Sequence, residues 1–281
     1  MAGGGLIRTR FAPSPTGLLH LGHAYSALVA ASAASPGQFL LRIEDIDRDR
    51  CKPEFEAAIY EDLSWLGLKW PVPVMRQSGR LGIYQDALDH LAQLGVTYPC
   101  SCTRGDIKAA MSAPQEGAPV LGPDGFVYPG TCRGRSMASA REGDVLRLDA
   151  EAAFSVIADG MIGFREQDQM HVMGRDAFLD GIGDVVLARK GMGTSYHLSV
   201  VVDDAAQGVT LVTRGLDLFE SSWIHVLLQR LLDLPTPAYH HHRLIRDDNG
   251  KRLAKRDDAR SLRELRGQGL RPDQIRASVG L

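Results

Sequence analysis

Apolar positions recur along this chain at two spacings, and each spacing predicts a different element. Leu6 to Phe11 comes close to strict alternation and reads as a short strand ending before Pro13. Leu21 to Ala34, rich in Ala and Leu, predicts a helix stopped at Ser35-Pro36-Gly37. "QFLLRI" (38–43) is a short apolar run between a turn and an acid, the pattern of a buried strand. Phe55, Ile59, Leu63 and Leu66 then fall at helical spacing within 53–66, and Leu81, Tyr84, Leu88 and Leu91 repeat it. The order β-α-β-α-α is the opening of a parallel, doubly wound sheet.

The rhythm breaks between Tyr98 and Arg135, where "SAPQEGAPVLGPDG" has no periodicity, so this stretch reads as an insertion. Strands are expected at 144–149, 154–159 and 184–190. A helix over 195–208 leads to a strand at 209–215. Trp223, Ile224, Leu227, Leu228 and Leu231 mark another helix, closed by Pro235 and Pro237, and two weak helices follow in a basic tail. No internal repeat is visible. The expected organisation is 1–97 for the first half of an α/β domain and 98–180 for an inserted α/β subdomain. The second half spans 181–238, and 239–281 holds a loop and a short helical C-terminal region.

Composition narrows the class. In 281 residues, 44% are hydrophobic and 23% charged, which suits a globular protein with a sizeable core. No apolar run reaches membrane-span length, and Met-Ala-Gly-Gly-Gly does not open a signal peptide. Four cysteines, at 51, 100, 102 and 132, are too few and too uneven for a disulfide scaffold, so a reducing cytoplasm is expected. Net charge is −2, which does not advertise nucleic-acid binding. Yet 243–276 carries eleven Arg or Lys against six acids, a pattern that fits either a solvated helical face or a phosphate-binding surface.

The stretch "RFAPSPTGLLHLGHAYSALVA" (10–30) concentrates the candidate chemistry. A strand that ends in a Pro/Gly turn and feeds a helix leaves unpaired N–H groups at the carboxyl edge of a sheet, a ready phosphate site. Pro13 and Pro15 stiffen the turn, and Gly17 lets a ligand lie close to the backbone. His20 and His23, three apart, share one side of the first helical turn and can donate to phosphate oxygens. On spacing alone a purely structural turn fits better.

Four segments carry a resemblance. "APSPTGLLHLGH" (12–23) looks like the His-Ile-Gly-His motif of class I aminoacyl-tRNA synthetases in its glutamyl and glutaminyl form. "LRIEDIDRDR" (41–50) is similar to the strand and acidic turn that follow it. "YHLSVVVDDAAQGVTLVTRGLDL" (196–218) resembles the segment lining the amino-acid pocket. "NGKRLAKRDD" (249–258) resembles the Lys-Met-Ser-Lys-Ser loop. They occur in family order across roughly residues 7 to 260. The resemblance implies a Rossmann-type fold, ATP with Mg²⁺ as substrate, and activation of L-glutamate as its adenylate. Gly17, His20, Gly22, His23 and Lys255 would hold ATP, with His20, His23 and Lys255 stabilising developing charge. Arg10, Phe11, Ala12, Pro13, Ser14, Glu44, Tyr196 and Arg214 would form the glutamate pocket. Arg suits a carboxylate through a bidentate pair, so two arginines lean toward glutamate over glutamine. The loop departs from the family at Arg252, which replaces the first lysine, and at Ala254, which removes a hydroxyl.

Cys100-x-Cys102 followed by Tyr128-x₃-Cys132 offers three thiolates, which can bind Zn²⁺ tetrahedrally with a fourth ligand or stay inert. The resemblance makes Tyr128 the fourth ligand of one structural zinc in the insertion. His240 to His242 reads as polar packing, because adjacent histidines do not share a strand face. Only twenty-five residues follow Arg256, where the discriminating family members continue into an anticodon-binding domain. That layout resembles a shorter branch of the family, which transfers glutamate to the queuosine base in the anticodon of tRNA(Asp). The expected partners are therefore ATP, L-glutamate and queuosine-bearing tRNA(Asp), met by a cytoplasmic monomer. A truncated enzyme charging the 3′ end and an inactive RNA-binding paralogue remain open.

Overall fold

A computed structural model describes residues 5–111, 120–245 and 260–281. In chain order the elements are β1 (Thr9–Phe11), α1 (Leu21–Ala33), β2 (Phe39–Ile43), α2 (Pro53–Trp65), β3 (Met75–Arg76), α3 (Leu81–Gln93), β4 (Thr97–Cys100) and α4 (Arg104–Met111). Next come β5 (Leu121–Gly122), β6 (Gly125–Phe126), β7 (Val145–Leu148), α5 (Ala150–Val156), β8 (Met161–Glu166), β9 (Gln169–Gly174), α6 (Arg175–Gly181) and β10 (Val186–Ala188). The last are α7 (Tyr196–Ala206), β11 (Leu211–Gly215), α8 (Ser221–Leu231), β12 (Ala238–His242), α9 (Leu262–Gly267) and α10 (Pro272–Ser278). These fall into two compact units. One is drawn from Met1–Gly79, Gly208–Asp217 and Pro237–Leu281, the other from Arg80–Gln207 and Leu218–Thr236.

The first unit is the parallel α/β part. β1 runs parallel to β2 with Thr9 opposite Phe39, and β2 parallel to β3 with Arg42 opposite Met75. β11 and β12 pair in parallel from Leu211–Ala238 to Gly215–His242. The amides of Thr210 and Leu211 both donate to the Arg8 carbonyl, at 3.0 and 3.1 Å, which places the start of β11 beside the residue preceding β1. Parallel strands put their carboxyl ends on one edge, where open α/β sheets bind ligands. The core joins Phe11, Leu28, Leu41, Ile43 and Ile59 to Leu262, Leu265, Ile275 and Val279 from α9 and α10. α2 begins with Pro53 at its first turn, and α9 is closed by a capping box between Ser261 and Glu264.

One buried acid lies between these helices. Asp62 on α2 is fully buried and neither carboxylate oxygen has a hydrogen-bond partner. The nearest cation, Arg266 Nη1 on α9, is 3.8 Å away and its other nitrogen is engaged with Glu61 at 2.8 Å. Burial, helped by Glu61 and opposed by Arg266 and Arg263, pushes the Asp62 carboxyl up to about 6.

The second unit has an antiparallel sheet, β10-β7-β4, with Cys100 opposite Val145 and Val186 opposite Arg147. Its helices are tied by a buried acid on α7: Asp203 accepts from Arg80 at 2.7 Å and from Tyr84 at 2.8 Å. That pairing joins α3 to α7 within this unit. α7 and α8 also lie in this unit.

Two local expectations fail. Residues 154–159 do not form a strand; α5 ends at Val156 within that span. Asp149 caps it by accepting from the Ala152 amide at 3.0 Å, and Ala-Glu-Ala-Ala outweighs the β-branched pair at its exit. The β8–β9 hairpin was not expected at all. It turns on Gln167 and Asp168, with Gln167 at φ 52°, without the Asn-Gly or Asp-Gly pair that signals such turns. Among the described residues no helix is long and apolar enough to cross a membrane.

Candidate functional site

The Pro-Ser-Pro-Thr-Gly turn leaves β1 and is pinned from two sides. The Glu44 amide donates to the Pro13 carbonyl at 3.1 Å and the Lys52 amide to the Pro15 carbonyl at 3.0 Å. Ser14 stands exposed between them. His20 is the N-cap of α1: its Nδ1 accepts from the Gly22 amide at 3.1 Å, while the His20 amide donates to His23 Nδ1 at 3.2 Å. The two rings lie 3.8 Å apart. Both Nδ1 atoms are acceptors here, so in the neutral rings both Nε2 atoms carry the hydrogen. Gly22 packs closely, since a Cβ there would meet the His20 ring at 3.0 Å and the ring would have to shift by a few tenths of an ångström.

Lys255, with Arg252 and Ala254, lies outside the described residues. Where the description resumes, Ser261 pairs antiparallel with His20, and the Leu262 amide donates to the Leu19 carbonyl at 2.7 Å. The segment following the basic loop is therefore bonded to the start of α1.

The charged residues expected around glutamate sit at the carboxyl edge of the parallel strands. Arg10 is 7% and Arg214 5% exposed, and Arg10 Nη1 donates to the Thr213 carbonyl at 3.2 Å. The Arg214 guanidinium lies 5.2 Å over the Tyr239 ring, with Nε 3.4 Å from His241 Nε2. Glu44 is buried and pairs with Arg42 at 3.2 Å. Arg42 is itself wholly buried, and sequence reasoning passed it over as an ordinary strand residue of "LLRI". The signal was an arginine within an otherwise apolar strand, two residues before the acid. Phe11 and Pro13 are buried and Ala12 is half-buried.

Tyr196 opens α7 in the second unit and is half-buried. Its ring meets His197 and His225 edge-on at 5.3 and 5.6 Å. His197 Nδ1 is 3.1 Å from His225 Nε2, and its Nε2 is 3.0 Å from both Asp124 oxygens. Burial works against the Asp124 carboxylate, but His197 and nearby arginines outweigh it and lower its pKa. His225 and Asp124 had no signal in the sequence, because they reach His197 from positions 28 and 73 residues away.

The sulfur cluster is compact. The Sγ atoms of Cys100, Cys102 and Cys132 all lie within 4.8 Å of one another, with Cys102 and Cys132 at 3.5 Å. Tyr128 Oη is 3.3 and 3.4 Å from Cys100 and Cys102 Sγ, and accepts from the Cys132 amide at 2.8 Å. Zn–S bonds of about 2.3 Å in a tetrahedron need S···S edges of about 3.8 Å, so these four donors fit Zn²⁺. Burial pushes the Cys102 thiol up to about 11. At Cys132 burial acts the same way, but hydrogen bonds from Tyr128, the Ser101 backbone and the other two cysteines outweigh it and bring the thiol down to about 6. Cys51 lies apart, with its Sγ 3.9 Å from the Glu44 carbonyl.

The catalytic-domain model of class I tRNA synthetases (E and Q) matches residues 6–281. A relative from Rhodobacter capsulatus, Glutamyl-Q tRNA(Asp) synthetase, is 57% identical over 279 residues, covering 97% of this chain and 99% of that one. A Nocardia farcinica protein of the same name is 43% identical, over 97% of this chain and 84% of its own length. Among solved structures, glutamate-tRNA synthetase from Elizabethkingia anophelis superposes with a TM-score of 0.69 at 27% identity over 90% of this chain. This chain spans about half, 53%, of that longer enzyme.

Proposed function

The chain belongs to the class I tRNA synthetase family of glutamate and glutamine enzymes, aminoacyl-tRNA ligases by type, and on that premise we propose that it activates L-glutamate with ATP and transfers it to the queuosine base in the anticodon of tRNA(Asp). The observation that carries this reading is identity of 57% over 99% of a relative bearing that name, together with the charged set at the sheet edge. The acceptor is a hydroxyl of the cyclopentene diol on the base, which imitates the ribose diol of a terminal adenosine. The enzyme works as a cytoplasmic monomer.

In the first step an oxygen of the glutamate α-carboxylate attacks the α-phosphorus of ATP. The bond to the β-phosphate oxygen breaks, and pyrophosphate leaves with Mg²⁺. Such transfer depends on position and charge neutralisation. His20 and His23 present Nε2–H donors from the start of α1, and Lys255 contributes its ammonium. Glu44 takes the ammonium of glutamate, Arg10 and Arg214 its carboxylates, and Tyr196 a hydrogen bond. Burial of Arg10, Glu44 and Arg214 strengthens their contacts. In the second step the acceptor hydroxyl attacks the activated carbonyl and AMP departs.

Cys100, Cys102, Tyr128 and Cys132 would hold one structural zinc, which would cross-link a loop-rich segment. Tyr128 also carries the Arg147 guanidinium 3.9 Å over its ring, so the residue joins the cluster to β7.

The decisive experiment offers labelled glutamate to tRNA(Asp) bearing queuosine and to the same tRNA bearing guanosine. A site built for the polar groups of the modified base rejects the analogue by several orders of magnitude. Label is expected on the modified tRNA alone, with little change after trimming the 3′-terminal CCA. Equal labelling of the guanosine form, or loss of labelling on trimming, assigns the chain to 3′-end charging instead. Absence of glutamate-dependent pyrophosphate exchange refutes the enzymatic reading.

A further inference from the structure

Three polar side chains of the second unit stand in a line that the reaction steps above do not use. They are Asp124 in the β5–β6 turn, His197 on α7 and His225 on α8. We propose that Asp124 is a positioning residue for glutamate binding: it sets the hydrogen order of the two imidazoles, and their rings hold Tyr196. This deepens the reading above and rests on Tyr196 being a glutamate contact.

The order follows from the donor and acceptor count. His197 Nε2 lies 3.0 Å from each Asp124 oxygen, and His197 Nδ1 lies 3.1 Å from His225 Nε2. A neutral imidazole has one N–H and one bare nitrogen. Two orders therefore satisfy the contact between the histidines. In one, His197 donates from Nδ1 and turns a bare Nε2 toward the carboxylate, so that two acceptors face each other. In the other, His197 donates from Nε2 to Asp124 and accepts from His225 Nε2. A carboxylate only accepts, so Asp124 selects the second order. It stays a carboxylate because His197, Arg189 and Arg147 outweigh the effect of burial and lower its pKa. The two histidines are 5% and 3% exposed, so the protein rather than bulk water fixes their hydrogens.

Both ends of the line are built into place. Gly122 and Gly125 pair across the turn that carries Asp124. Gly122 packs so near the Gly181 carbonyl that a Cβ would stand 2.8 Å from it, which seats the turn on the end of α6. Tyr196 is the first residue of α7, where a helix lacks the backbone bonds of its interior. Its ring is held instead by His197 and His225, edge-on at 5.3 and 5.6 Å, and the two imidazoles are 5.2 Å apart. An imidazole that loses its hydrogen order loses its hydrogen bond, and with it the orientation against which the tyrosine packs. A contact group that moves weakens substrate binding even though no substrate contact has been deleted. A plain tie between the turn and α7 would stabilise the unit and leave glutamate binding alone.

The test follows glutamate-dependent pyrophosphate exchange by the full chain, with proton–nitrogen correlation spectra of histidine-labelled protein at pH 8, where unperturbed imidazoles are neutral. His197→Gln and His225→Gln assign the two signals. In the wild type both histidines should carry hydrogen on Nε2. Asp124→Ala should mix the two forms at His197 and raise KM for glutamate at least about fivefold, with KM for ATP and kcat changed by less than about twofold. Asp124→Asn keeps an acceptor oxygen but adds a donor, so its effect should fall between. Asp159→Ala removes an exposed acid of the same unit, paired with Arg230, and should move neither readout. An unchanged KM for glutamate in Asp124→Ala, with or without a lowered melting temperature, overturns the proposal. So does an equal rise in KM for ATP, or hydrogen on Nδ1 of His197 in the wild type. A wild-type chain without exchange activity refutes the proposed function, while the spectra still decide whether Asp124 orders the pair.

Discussion

Replacing Asp62 by Asn should stabilise the protein, and more so as pH rises. The Asp62 carboxyl is raised from an ordinary 3.8 to about 6, chiefly because burial disfavours its charged form. At 1.36 kcal/mol per pKa unit, the ionised side chain costs the native state about 3 kcal/mol. The sign follows from proton counts. Between pH 4 and 6 the native state keeps a proton that the unfolded chain has released, so stability falls as pH rises through that window. About half of the cost is present at pH 5 and nearly all of it by pH 8. Asn has the same shape and no charge, so the variant lacks this dependence. Its buried amide also lacks partners, but that penalty is constant with pH and drops out of the comparison. Urea unfolding of both proteins at pH 5, 6.5 and 8, followed by tryptophan fluorescence, measures the difference. Trp65, with Arg266 5.9 Å from its ring, is a local reporter of the α2–α9 contact. The stability gap should widen by about 1.4 kcal/mol in favour of the Asp62→Asn variant between pH 5 and pH 8. A gap that stays flat, or narrows, refutes a destabilising carboxylate at this position.

Two further outcomes are expected. Lys255→Ala should lose about 2–4 kcal/mol of transition-state stabilisation in glutamate-dependent pyrophosphate exchange, the range for one preorganised charge donor, and normal exchange in that variant removes the role assigned to it. Elemental analysis of protein purified without added metal should find about one zinc per chain, and Cys132→Ser or chelation should lower the melting temperature by several degrees. No zinc, with an unchanged melting temperature after chelation, discards the site.

What could be read without coordinates was local or rhythmic. α2 and α3 follow from apolar spacing, because each buries one face against neighbours; α1 follows from its Ala and Leu content, and α8, marked by its apolar residues, is buried nearly all round. The histidine pair was visible because three residues along one helical turn bring two rings together. Cys100, Cys102, Tyr128 and Cys132 could be grouped by two short spacings, and their side chains do converge. Contacts that depend on distant chain segments could not be read. Asp124, His197 and His225 come from a hairpin turn and two helices, and nothing in their own neighbourhoods marks them as partners. Arg42 looked like a strand residue because only its burial beside Glu44 reveals a fixed ion pair. The span 154–159 reads as a strand because Val156 and Ile157 are β-branched, while the helix that occupies its start is set by the Asp149 cap several residues earlier.

The amides of Thr210 and Leu211 bond a carbonyl at Arg8, about two hundred residues earlier in the chain, and the same core is closed by Leu262, Leu265, Ile275 and Val279. A ribosome adding about 5–20 residues per second leaves the first strands waiting on the order of 10–40 s for those partners. Throughout that interval Phe11, Leu41 and Ile43 have emerged and lack the side chains that cover them in the finished core. The second unit is in a different position, since its Arg80–Gln207 stretch is continuous and local. Folding during synthesis therefore runs from the middle of the chain outward, and the α/β unit is assembled last. A nascent chain halted before residue 262 is not a shorter enzyme but an open apolar surface, and it is at that stage that chaperones and proteases have the most to recognise.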